Sequence, residues 1–81
     1  MLEKGSVVLS LAGRDKGRPL AVMESIGKEV SVCDGKERPI DRPKKKNIRH
    51  VMNTGVQLGA EELRSDKALR RALRRKINGN T

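Results

Sequence analysis

The sequence predicts a mainly β protein, a small barrel of about five short strands followed by a basic C-terminal α-helix. Three observations carry that expectation. Short apolar runs rich in Val and Leu recur through the first half and are punctuated by Gly, Asp-Gly and Pro turns. Near the C-terminus, Leu69, Leu73 and Ile77 recur at four-residue spacing with Ala72 beside them, the pattern of an amphipathic helix. The chain has 81 residues, enough for one small core but not for two. The expected division is therefore a barrel over residues 1–52 and a linker with the helix over residues 53–81.

Taken in order, Met1 to Lys4 is a lead-in whose Leu2 can cap one end of the barrel. The first strand is expected over Val7 to Ala12 and is apolar on both faces. One face fills the barrel, which leaves Leu9 and Leu11, or Val8, needing a second cover. After a loop from Gly13 to Arg18, Pro19 opens a second strand over Leu20 to Ile26, ended by a turn at Gly27-Lys28. In the third, Glu29 to Cys33, Val30 and Val32 alternate with Glu29, Ser31 and Cys33, a half-buried pattern. Asp34-Gly35 is a strong hairpin signal. It predicts a fourth strand over Lys36 to Ile40 pairing back on the third, with Pro39 at its end or on an edge. Pro43 holds the chain extended, and Ile48 to Val51 is expected to close the barrel. Asn53 to Gly59 reads as loop. In the helix, Ser65 or Asp66 serves as N-cap, and Asn78-Gly79 is the stop. Arg74, Arg75 and Lys76 suit the C-terminal end of the macrodipole.

Charge bounds the function. Nineteen Lys and Arg against ten Asp and Glu give +9 and a pI near 10.5, an excess that points to a polyanionic partner. On charge alone RNA, DNA and anionic membranes are all open. No Phe, Trp or Tyr occurs. Single-strand binders stack bases on aromatic rings, so a structured nucleic acid read through its backbone and shape is the better fit. A single cysteine, Cys33, excludes an internal disulfide and agrees with a reducing compartment. No apolar stretch reaches the ~18 residues of a membrane span, and MLEKGS lacks the apolar core of a signal peptide. A cytoplasmic location is the expectation.

Catalytic groups are hard to assemble from this composition. Cys33 reads as an inert strand residue and His50, beside Arg49, as a member of a basic patch. A metal site needs more Cys or His ligands than the chain has. No P-loop or dinucleotide fingerprint is present. The expectation is a non-enzyme with no cofactor, no metal and no small-molecule substrate.

The stretch GSVVLSLAGRDKGRPLAV, residues 5–22, is a strand, loop, strand unit whose loop holds Arg14, Lys16 and Arg18 between Gly13 and Gly17. The two glycines permit positive φ and close approach of a partner, and such a loop can offer cations and free backbone N–H groups to phosphate oxygens. Asp15 is expected to brace the turn through its own backbone or an adjacent arginine. The spacing Gly5, Val8, Gly13, Lys16, Gly17, Val22 resembles the KOW motif of small SH3-like β-barrels in ribosomal proteins and transcription elongation factors. With Arg38-Pro39 and the run from Arg42-Pro43 to Lys46, the chain most resembles a bacterial group related to archaeal and eukaryotic large-subunit ribosomal KOW proteins, over residues 3–51. The resemblance implies an SH3-like barrel and contact between the basic loop and RNA.

Two further basic segments extend the candidate interface. Arg42, Lys44, Lys45, Lys46 and Arg49 follow Pro43's extended geometry and can spread along a phosphate backbone. On the helix, Arg70, Arg71, Arg74 and Arg75 face away from the Leu69–Leu73–Ile77 stripe. The helix is short, and its cations repel one another, so it is expected to be partly frayed when free and ordered on RNA. The combined expectation is an RNA-binding protein on structured RNA, ribosomal RNA first, with ribosomal proteins as further partners and no membrane. The alternative is a KOW module of the transcription or translation machinery that contacts proteins through apolar strand faces such as Leu9 and Leu11.

Overall fold

The computed structural model describes residues 2–78, with five strands and one α-helix. The strands are β1 (Ser6–Ser10), β2 (Pro19–Ile26), β3 (Glu29–Cys33), β4 (Lys44–Asn47) and β5 (Val51–Gln57), and the helix is α1 (Asp66–Asn78). All strand pairs are antiparallel, in one sheet of order β4-β3-β2-β1-β5. Strand period 2 sends alternate residues to opposite faces, and here both faces are covered. Val8, Leu20, Val22, Val30, Val32 and Val51 fill one face, with Leu2 against them. Val7, Ala21, Cys33 and Leu58 lie on the other, under Leu69, Ala72 and Leu73 of α1. That is why β1 is apolar on both sides. Its second cover is the helix, seated over Val7; Leu11 remains 46% exposed.

The sheet curls around the first of these clusters. Register shifts between Ser6 and Val8 and between Val22 and Glu24 mark bulges, which bend a strand and increase its twist. The edge strands β4 and β5 are joined by a single 3₁₀ turn, Ile48–His50. Two backbone bonds seat that turn, Ile48 N–H to Lys28 O and Leu11 N–H to His50 O, both 2.8 Å. No ladder joins β4 to β5, so the sheet remains open between its edges.

The expected first three strands match within a few residues; the later ones differ. Residues 36–40 form no strand. Asp34 Oδ1 accepts the Lys36 and Arg38 N–H groups at 2.8 and 3.0 Å, folding the segment into a side-chain-braced turn. Ile40 N–H goes to Asp66 Oδ1 of α1 at 2.8 Å. The fourth strand is instead the lysine run after Pro43. Residues 48–50 are a 3₁₀ turn, and the closing strand runs through the NTGVQ segment read as loop. Thr54 Oγ1 donates to Val7 O at 2.7 Å, and Gly55, with φ of 84°, absorbs the bulge opposite β1. The expected boundary between residues 52 and 53 therefore falls inside β5.

The helix expected to be partly frayed packs on the sheet in this structure. Ser65 Oγ accepts the Ala68 N–H at 3.1 Å, making Ser65 the N-cap. Leu69, Ala72 and Leu73 are buried against the sheet, at about 1.5–3 kcal/mol for each leucine. Arg70 Nη1 donates to Gly35 O at 2.9 Å. Gly35 has φ of 79° and lies so close under α1 that a Cβ there would meet the Asp66 carbonyl oxygen. Packing supplies what a short isolated helix lacks. The side chain of Ile77, third in the expected stripe, and Gly79 of the expected stop lie outside the described residues, as does Met1.

Candidate nucleic-acid interface

The 13–18 loop is a tight, self-bonded hairpin tip. Gly17 N–H donates to Ser10 O (2.8 Å), Arg18 N–H to Asp15 O (2.9 Å) and Lys16 N–H to Gly13 O (3.2 Å). Gly13 and Gly17 take φ of 87° and 84°, as the turn requires. Nothing lies within 4 Å of a Cβ built on Gly17, so backbone conformation, not crowding, selects glycine there. These bonds correct one expectation. The N–H groups of residues 16, 17 and 18 are used inside the loop, which offers side chains at those positions and not backbone donors.

Within the loop the charges divide. Arg14, Lys16 and Arg18 are exposed, whereas Asp15 turns inward and is buried. Ser10 Oγ donates to Asp15 Oδ1 at 2.8 Å, and Lys46 Nζ lies 3.2 Å from the same oxygen. Lys46 Nζ also donates to Ala12 O at 3.0 Å. The two side chains are only 7% and 10% exposed. Burial alone would raise the Asp15 pKa; the Ser10 and Lys46 hydrogen bonds and the Lys46 charge outweigh it and hold the carboxyl below its usual 3.8. Asp15 braces the loop as expected, through Ser10 and Lys46 instead of a neighbouring arginine. Lys46 was expected to contact phosphate; it is committed to an internal ion pair.

The remaining cations fall in two groups. Arg18, Lys36, Arg70 and Arg74, with Pro19, Asp34 and Leu73, line a shallow cleft of about 200 Å³. It joins the end of the basic loop to the arginine face of α1. Arg71, Arg74 and Arg75 line an adjoining groove of about 330 Å³. Arg18 is held 3.5 Å from Glu37, and Asp34 is occupied by the backbone of its own turn. Among the described residues Arg14, Lys16, Lys36, Arg71 and Arg74 have no carboxylate at ion-pair distance. Lys36 was missed from sequence because it was assigned to a strand. The Asp34-Gly35 turn signal was the available clue.

The second group follows β4 and is less concentrated. Arg42 and Arg49 are exposed on either side of the strand, and Lys44 is half-buried. Lys45 is exposed in a cleft shared with Glu24, Ile26, Glu29 and Ser31, so carboxylates offset its charge.

Burial raises the Cys33 thiol to about 12, helped by the charges of Asp34 and Asp66, so it is a neutral, poorly nucleophilic thiol beneath α1. Among the described residues no group of three or more His, Cys, Asp or Glu is placed to hold a metal ion. No helix there is long and apolar enough to cross a membrane. Set against known proteins, the chain matches no protein-family model and no curated protein sequence.

Proposed function

We propose that the protein binds structured RNA, ribosomal RNA foremost, as a small SH3-like barrel of the KOW type. The observation that carries this reading is the shared cleft of Arg18, Lys36, Arg70 and Arg74. Three segments distant in sequence, the loop, the turn and the helix, bring cations to one surface where few carboxylates answer them. Such a surface neutralises phosphates at several points and fixes the orientation of a duplex or folded RNA. Arg14 and Lys16 extend it at the loop tip, and Arg71 and Arg75 along the helix. The lack of aromatic side chains favours backbone recognition over base stacking. In this role the protein is a non-enzymatic ribosome-associated component.

A salt titration tests the mechanism. Affinity for a paired RNA hairpin should fall with log salt at a slope of roughly 0.7–0.9 per neutralised phosphate. Arg14→Glu with Lys16→Glu should weaken binding by about an order of magnitude or more, since exposed basic contacts supply the affinity. The melting curve should stay within about 0.5 kcal/mol of wild type. A flat salt dependence sinks the reading. A protein-docking role is the second reading, favoured by Met52 (48% exposed), which pairs with Leu9 near exposed Leu11 outside the cover of α1. It gains ground if Leu11→Ser and Met52→Ser abolish association with ribosomes while hairpin binding is unchanged.

A further inference from the structure

We propose that Lys46 and Asp15 form a buried clamp that sets the orientation of the 13–18 loop, so that Lys46 acts on RNA through Arg14 and Lys16 without touching it. The role on RNA rests on the RNA-binding reading above, whereas the clamp itself rests on geometry. The loop's own backbone bonds close it onto the ends of β1 and β2. The side-chain tie to the far edge of the sheet is Lys46. It starts opposite Val30 on the concave face and reaches Ala12 O at 3.0 Å and Asp15 Oδ1 at 3.2 Å. Gly13 lies over this junction, its Cβ position 3.6 Å from both Asp15 Oδ1 and Lys46 Nζ.

Asp15 Oδ2 is buried with no hydrogen-bond partner. The carboxylate is therefore held through Oδ1 alone, by Ser10 and Lys46. A buried carboxylate that loses its cation faces a heavy desolvation cost and turns toward water. Asp15 stands between Arg14 and Lys16, so turning it outward swings both cations. It also places a negative charge between them. Losing one inward-facing lysine thus disorders the loop and lowers the positive potential at its tip, although Lys46 contributes no surface of its own.

A double-mutant cycle separates positioning from contact. Affinity for a fully paired RNA hairpin is measured by anisotropy for the full chain carrying Lys46→Met, Arg14→Ala/Lys16→Ala, and both. Lys46→Met should cost about tenfold in the wild-type loop and less than about twofold when the loop cations are already gone, the non-additivity of groups acting through one another. An equal loss in both backgrounds means that Lys46 meets the RNA directly and overturns the proposal. Should Lys46→Met fail to fold, Lys46→Gln, which removes the cation and keeps the Asp15 carboxylate, replaces it in the cycle. A second readout needs no RNA. Backbone heteronuclear NOE values at residues 13–17 should fall in either variant while those of β2 hold. Unchanged loop values overturn the clamp. If the wild-type protein binds no hairpin at low salt, the RNA reading fails and the NOE result alone decides the clamp.

Discussion

The two faces of one sheet are sealed by different chemistry. The concave face is filled by the strands' own valines and Leu20, with the Lys46–Asp15 ion pair reaching from Val30's neighbour to the loop. The convex face is sealed by α1, whose Leu69, Ala72 and Leu73 cover Val7, Ala21 and Cys33. One sheet of five short strands cannot bury both of its faces alone, so the second needs an added layer. Both seals rest on apolar area, and the first carries in addition an ion pair whose contribution depends on pH. The difference also sorts the lysines of β4. Lys46 belongs to the fold, whereas its neighbour Lys45 belongs to the surface.

The sharpest break in this comparison comes from truncating Lys46. Lys46→Ala leaves the Asp15 carboxylate either unpaired where it is buried or driven out to water with its loop, and should cost up to about 3–5 kcal/mol. Lys45→Ala should stay within about 0.5 kcal/mol. Chemical denaturation of the two variants checks both, and similar costs would erase the distinction. Next, Leu69→Ala should cost about 2–5 kcal/mol through lost burial and the cavity left behind. Its signature is local. Cys33 lies under α1 as the chain's one thiol, so its reaction with a maleimide should speed up in Leu69→Ala well below the melting temperature. Thiol reactivity as fast in wild type as in unfolded protein would show that the helix does not stay docked.

The smallest effect expected is the pH response of the concave seal. The Asp15 pKa is lower folded than unfolded, so the unfolded chain binds the proton more tightly. The stabilisation is fully present above the ordinary carboxyl range near 3.8 and is lost as pH falls through the lower folded value. Asp15→Asn should remove that share of the acid sensitivity, and Leu69→Ala should leave it in place. Denaturation curves at several acidic pH values check the sign.

Local chemistry made the first half of the chain readable. Val7, Val8, Leu20, Val22, Val30 and Val32 sit in runs with strand propensity, and Ser65 with the leucine spacing marked the helix. The edge strands were opaque because KKKN and VMNTGVQ have little intrinsic preference for extended structure. Their pairing with β3 and β1 is imposed by neighbours distant in sequence. The same holds for the site. Exposed Arg14, Lys16 and Arg18 were legible from the loop glycines. That Lys46 turns inward to Asp15, and that Lys36 joins the helix arginines, depends on contacts no short window contains.

The open edges of the sheet carry a consequence for self-association. A curled sheet with two unpaired rims is a template for another strand, and most small β proteins must protect such rims. Here β4 presents the exposed Lys45 beside the half-buried Lys44, and their charge opposes an approaching copy of the same strand. On the opposite rim β5 is interrupted at Gly55, where the positive φ breaks the flat run of donors and acceptors that a docking strand would need. A cation on one rim and a kink on the other both disfavour edge-to-edge pairing of two copies.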